Sequence, residues 1–135
     1  MLNCGSNVGG TDITKFRVRA DGNCENTNNS YGAISDARLK ENVTSYGSDC
    51  LEDVEYLSDN LVKYNLIGDS LSQIGLIAQT AMTQCPGLVD EGTDGYYSVK
   101  YSIINLKLLR AVGSLIKKNR ELESRLSTLE AALPS

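Results

Sequence analysis

Residues 101–133, YSIINLKLLRAVGSLIKKNRELESRLSTLEAAL, contain no proline and a single glycine, Gly113. Apolar residues recur there at spacings of three and four, which predicts one long helix. With Val112, Asn119, Leu126 and Leu133 at a positions, Leu115, Leu122 and Leu129 fall at d, the pattern of a coiled-coil seam. Lys118 and Arg125 then stand at g, and Glu123 and Glu130 follow five residues later at e, where parallel chains bring opposite charges together. Asn119 at an a position costs stability but fixes register. Upstream, Ile104, Leu108, Leu109 and Ile116 widen the apolar face. The helix therefore reads as packed on its own domain first and as a coiled coil beyond.

Working back from the helix, Leu88-Val89 and Tyr97 to Val99 flank a loop from Gly92 to Gly95, which reads as a small hairpin. Ile74 to Met82 (IGLIAQTAM) reads as a buried strand or helix that Pro86-Gly87 stops. Leu61 to Ile67 (LVKYNLI) reads as a strand with Gly68-Asp69-Ser70 as a turn. Leu51 to Asn60 (LEDVEYLSDN) spaces Leu51, Val54 and Leu57 by threes, an amphipathic helix whose acidic face is expected to be solvated. Ala37 to Glu41 are good helix formers, and Ser35 or Asp36 is a suitable N-cap for a short helix or turn.

The first 34 residues differ: Gly5, Gly9, Gly10, Gly22 and Gly32 sit among Asn, Ser and Thr. Thr14, Phe16 and Val18 alternate with charged residues as in a strand, and Asp21-Gly22-Asn23 reads as a turn. Such a segment has too few apolar residues for a core and reads as the end of a larger β-rich body. The expected fold class is α+β. Residues 1–34 would be a β-structured stalk end, and residues 35–135 a small mixed helical and β-hairpin domain ending in a helix over about 101–133.

Composition narrows the function. With 135 residues, 41% of them hydrophobic, the chain can bury one modest core. A net charge of −4 is the wrong sign for phosphate-driven nucleic-acid binding. The chain has no histidine, which excludes Ser-His-Asp and Cys-His catalysis and imidazole zinc sites. Cys4, Cys24, Cys50 and Cys85 lie far apart without a CxxC pair and read as free thiols of a reducing compartment. Met1 to Gly10 lacks the basic and apolar regions of a signal peptide. The most apolar run, Leu106 to Ile116, is broken by Lys107, Arg110 and Gly113, so no membrane span is expected. No P-loop or other glycine-rich phosphate cradle occurs, and neither a cofactor nor a metal is expected.

Chemistry concentrates in Ser35 to Val43, SDARLKENV. A serine becomes a nucleophile when a base takes its proton, and without histidine the candidate base is Lys40. Five residues along a continuous α-helix, at roughly 100° per residue, the two side chains would point about 140° apart. They can touch where Ser35 lies in an extended or turned segment before the helix, or where adjacent chains supply one each. Spacing alone fits an N-capping serine and a surface lysine better than a catalytic pair.

SDARLKENV, followed in order by LVKYNL, IGLIAQ, YYSVKYS and the leucine-rich helix, resembles the C-terminal intramolecular chaperone peptidase domain of phage tailspikes and tail fibres. Endosialidase tailspikes and phage neck appendages carry this domain, and myelin regulatory factor carries a relative. The upstream FRVRADGNCENTNNSYGAI resembles the stalk ends that precede it. The resemblance implies a homotrimer held by a parallel trimeric coiled coil, its seam formed by Val112, Leu115, Asn119, Leu122, Leu126 and Leu129. It implies a passenger stalk folded in register and then freed by one self-cleavage per chain at Ile34-Ser35, with Ser35 and Lys40 as a serine-lysine dyad supported by Asp36, Arg38 and Asn42. It also implies a passenger in the virion tail that meets a host surface receptor, and a chaperone released in the host cytoplasm. Thr80 stands where relatives often carry an acidic residue, so no role is assigned there. Two other readings compete: a non-catalytic trimerisation cap that keeps its stalk, and a receptor-binding fibre tip that uses Tyr31, Tyr96 and Tyr97. A transcription-factor fragment like the myelin relative would need a basic region that this sequence lacks.

Overall fold

The computed structural model describes residues 2–8 and 11–135, with side chains at 4–5 and from 14 onward. The chain divides into two compact units, 1–45 and 46–135.

The first unit is built on an antiparallel sheet of β1 (Leu2–Val8), β2 (Thr11–Val18) and β3 (Cys24–Asn26), in that order. Leu2 pairs with Val18 and Val8 with Thr11, with an irregularity between Cys4 and Gly5. The alternation read in β2 is present: Phe16 and Val18 are half-buried, while Lys15, Arg17 and Arg19 are exposed. Opposite them Glu25 binds Arg17 at 2.8 Å and Arg19 at 3.0 Å. The turn forms because Asp21 Oδ1 accepts the Asn23 N–H at 3.1 Å, and because Gly22 takes φ +85°, a region costly for side-chain-bearing residues. β1 was illegible in the sequence: Gly5, Ser6 and Asn7 are poor strand formers, and it is pairing with β2 that makes them a strand.

The second unit holds α1 (Leu51–Asp59), a hairpin of β4 (Val62–Asn65) and β5 (Ser72–Gly75), α2 (Ala78–Gln84), a hairpin of β6 (Val89–Glu91) and β7 (Tyr97–Val99), and α3 (Tyr101–Ala131). Both hairpins are antiparallel, so the α+β class and the long terminal helix are as expected. Leu57, Leu76, Ala81, Cys85 and Leu88 form the core, flanked by Tyr56, Val89, Val99 and Ile104. A 3-10 turn over Pro86–Leu88 stops α2 and delivers Leu88 to the core at 1% exposure. The Leu88 carbonyl then accepts the Lys100 N–H at 2.8 Å and ties the second hairpin to the start of α3.

Ile74 to Met82 resolves into both candidates, strand to Gly75 and helix from Ala78. The break follows from Tyr101, whose hydroxyl accepts the Leu76 N–H at 2.9 Å. A Cβ at position 75 would lie 2.6 Å from that same oxygen, so the close approach requires glycine. The acidic face of α1 also differs from expectation at one residue. Glu52, Glu55 and Asp59 are solvated, but Asp53 forms a largely buried ion pair with Lys107 of α3 at 2.5 Å and accepts from Gln84 at 3.1 Å.

The two readings of α3 divide along its length. Ala111 is buried and Ile104 and Lys107 are partly covered, whereas every residue from 117 to the end is exposed. The seam residues Val112, Leu115, Leu122, Leu126 and Leu129 are each more than half exposed, and Asn119 is exposed with them. All four cysteines are free, Cys4 and Cys24 exposed and Cys50 and Cys85 buried.

Candidate functional site

The site is built by a single turn in the first unit. Asp36 is extended and caps a 3-10 turn over Ala37–Leu39, its Oδ1 accepting the Arg38 N–H at 2.9 Å. The Arg38 guanidinium closes back on the same carboxylate, Nε to Oδ1 at 3.0 Å and Nη2 to Oδ2 at 2.8 Å. The guanidinium first, and then the Arg38 N–H, hold the Asp36 carboxyl below its ordinary pKa. Leu39 N–H bonds the Asp36 carbonyl and Lys40 N–H the Ala37 carbonyl, each at 3.1 Å, after which Lys40 is extended.

This local path decides whether serine and lysine meet. A continuous α-helix would separate them, but one tight turn between two extended residues returns the Lys40 side chain toward Ser35. Lys40 Nζ donates to Ser35 Oγ at 2.6 Å, within one chain. A hydroxyl held on a primary amine is the arrangement that activates a weak nucleophile, once the amine is neutral and accepts the hydroxyl proton. Asn42 follows at φ +53°, a left-handed conformation that asparagine tolerates better than most residues, and bends the chain after the turn. Ile34 is 88% exposed, and Ser35 and Lys40 are exposed as well, so water reaches the whole segment.

Among the described residues, no cluster of three or more potential metal-ligating side chains occurs. Among the described residues, too, no helix is long and apolar enough to cross a membrane. A cavity of about 530 Å³ lies in the second unit, lined by Tyr46, Leu106, Lys107 and Arg110 among others, and includes neither Ser35 nor Lys40. Tyr31 and Tyr96 are exposed at 67% and 79% and Tyr97 at 41%, and Tyr31 donates its hydroxyl to the Cys24 carbonyl at 3.2 Å. The Lys107–Asp53 pair escaped sequence reasoning, its only trace being a lysine inside an apolar run. Burial by itself lowers the Lys107 pKa, but hydrogen bonds to Asp53 and Tyr46 outweigh it and raise the value above that of a free lysine.

An α+β module with two small hairpins, a long terminal helix and a serine-lysine contact on a capped turn is thus the class of protein in hand. Residues 35–90 match the family described as Chaperone of endosialidase, a match that begins at Ser35 itself. The resemblance read from SDARLKENV and the motifs after it therefore holds over this segment. Among solved structures, the chain is similar to the carboxy-terminal domain of the bacteriophage T5 L-shaped tail fibre with its intramolecular chaperone domain. That match has 16% identity and a TM-score of 0.46, and covers 87% of this chain and 42% of the other. The chain thus spans under half the length of that structure. No curated protein matches the sequence.

Proposed function

We propose that residues 35–135 are an intramolecular chaperone that trimerises a phage tailspike or tail-fibre passenger, whose stalk ends within residues 1–34, and then releases itself by autoproteolysis at Ile34-Ser35. Ser35 is the nucleophile and Lys40 its base. Asp36 and Arg38 fix the turn that joins the pair, and Asn42 redirects the chain after it. The single observation that carries this reading is the 2.6 Å contact of Lys40 Nζ with Ser35 Oγ, in the segment where the chaperone family match starts. The exposed leucine seam of α3 supports parallel trimerisation, with Asn119 setting register.

Such a device answers a physical difficulty. Interchain β structure has almost wholly non-local contacts, so association must precede any gain, and folding is slow and prone to aggregation. A terminal clamp removes much of that entropic cost, and cutting it away afterwards makes the stability of the passenger kinetic. On this reading the passenger resides in the virion tail, where it meets a host surface receptor, and the chaperone is left in the host cytoplasm.

The test is intact-mass spectrometry of the fresh chain beside Ser35→Ala and Lys40→Ala, in denaturant that separates associated products, with native mass spectrometry for the oligomer. Two fragments meeting at Ile34/Ser35 are expected in the wild type, with complete loss of cleavage in both variants and a trimer in all three. An uncut wild-type trimer would leave a trimerisation cap whose motif is structural.

A further inference from the structure

We infer that Leu109 of one copy inserts into the apolar hollow between α1 and α3 of the next copy, so that each second unit grips its neighbour's helix. This rests on the parallel trimer proposed above and names a contact beyond its helical seam.

The hollow has a volume of about 330 Å³ and is walled chiefly by Val54, Leu57, Leu61, Leu76, Ile104 and Leu108. Leu57 and Leu76 are buried there, while Leu61 is still more than half exposed. Apolar surface left in water in this way is stabilised when another apolar side chain covers it. Leu109 is such a side chain, 72% exposed, but it cannot serve its own chain. It stands five residues after Ile104, so at roughly 100° per residue the two point about 140° apart around the helix.

The heptad supplies the route from copy to copy. In the frame that puts Lys118 and Arg125 at g and Glu123 and Glu130 at e, Ile104 and Ala111 fall at g and Leu109 and Ile116 at e. Parallel helices set each g residue beside the e residue five places on in the neighbouring chain. Ile104 of one copy thus faces Leu109 of the next, and Ala111 faces Ile116. The single chain divides these pairs as the arrangement requires: Ala111 is buried and Ile104 partly covered by their own unit, whereas Leu109 and Ile116 are exposed. The g and e positions also change character where α3 leaves its unit. They are apolar as far as Ile116, and from Lys118 on, where every residue is exposed, they are charged. Apolar e residues therefore occur only at the height where a neighbouring unit is present to cover them. The contact is head to tail, and three copies close it into a ring.

Two arms test this on the full chain. The first uses a Cys4→Ser/Cys24→Ser background, which removes the exposed thiols and keeps the buried Cys50 and Cys85. A Leu61→Cys chain and a Leu109→Cys chain, each with its own tag and each altered at a position more than half exposed, are co-expressed and treated with a short bis-maleimide. A covalent dimer carrying both tags is expected as the dominant product. In the second arm Leu109→Asp is made in the otherwise unchanged chain. Native mass spectrometry is expected to show a trimer still held by the seam, and hydrogen exchange of α1 amides is expected to rise by about ten- to a hundredfold, the loss of one buried leucine.

Same-tag dimers alone, or no covalent dimer, from an assembled trimer overturn the contact and leave the trimer standing; a passenger or another protein in the hollow would give this result. Unchanged α1 exchange in a Leu109→Asp trimer overturns it likewise. A Leu109→Asp chain that no longer assembles leaves the decision to the cross-link. A monomeric wild type removes the trimer reading and this contact with it.

Discussion

The two units of this chain are held together in different ways. The second buries Leu57, Leu76, Ala81, Cys85, Leu88 and Ala111 and closes around them with contacts distant in sequence, such as Lys107 to Asp53 and Leu76 to Tyr101. The first has no buried side chain among those described: Phe16 and Val18 are half-covered, and its ion pairs among Arg17, Arg19, Asp21 and Glu25 are exposed. Exposed pairs contribute about 0–1 kcal/mol each, and a sheet with so little apolar burial is marginal alone. The contrast teaches where stability has to come from. The second unit carries its own core, whereas the described part of the first has none and would gain from the association proposed above.

The contrast is most directly broken by removing association. In a Leu122→Asp/Leu126→Asp variant the heptad stripe loses two apolar side chains, and the proposed trimer is expected to give way to monomers. Hydrogen exchange should then show amides of β1 to β3 exchanging nearly as an unfolded chain while those of α1, α2 and the first half of α3 stay protected. Equal protection in both units of the monomer would show that the first needs no partner.

A smaller effect sharpens the same comparison from the side of the core. Leu88, 1% exposed, is the largest fully buried side chain, and Leu88→Ala is expected to cost about 2–5 kcal/mol in chemical denaturation. That loss should appear in the transition of the second unit, with Phe16→Ala in the half-covered sheet costing less in monomeric protein.

The smallest effect is the pH dependence of the Asp53–Lys107 pair. A hydrogen bond from Lys107 lowers the Asp53 pKa most, against the opposing effect of burial, and the Gln84 side chain adds to it. Its contribution is therefore fully present above the ordinary aspartate range and is lost as pH falls through the lowered folded value. The raised Lys107 pKa contributes below the ordinary lysine range, and that part is lost only as pH climbs through a value still higher. Asp53→Asn should destabilise the second unit by about 1–3 kcal/mol near neutrality and flatten the acid limb of its stability curve. An unchanged acid limb would assign the acid sensitivity to other carboxylates.

Much of the architecture was legible because its signals are local. The hairpin loop from Gly92 to Gly95, the turn at Gly68 to Ser70, the stop at Pro86 and the unbroken period of residues 101–133 all lie within a few residues of the structure they produce. The residue types of the candidate site were legible too, since the lack of histidine left lysine as the candidate base for Ser35. What could not be read was whether the pair touches. That depends on Ala37 to Leu39 forming a 3-10 turn between extended residues, whereas their composition favours an α-helix.

By itself, the sequence determined the class of elements, the apolar heptad stripe of the terminal helix, and the side-chain types available at Ser35 and Lys40, because periodicity and side-chain type are properties of the chain. Only the tertiary structure decided that Asp53 leaves the solvated face for Lys107 and that Gly75 ends a strand against Tyr101. It alone made a strand of Leu2–Val8 and brought Lys40 onto the Ser35 hydroxyl. Each of these turns on which groups come to share space, and that is fixed by packing, backbone pairing and the closure of a turn rather than by the intrinsic preference of any one residue.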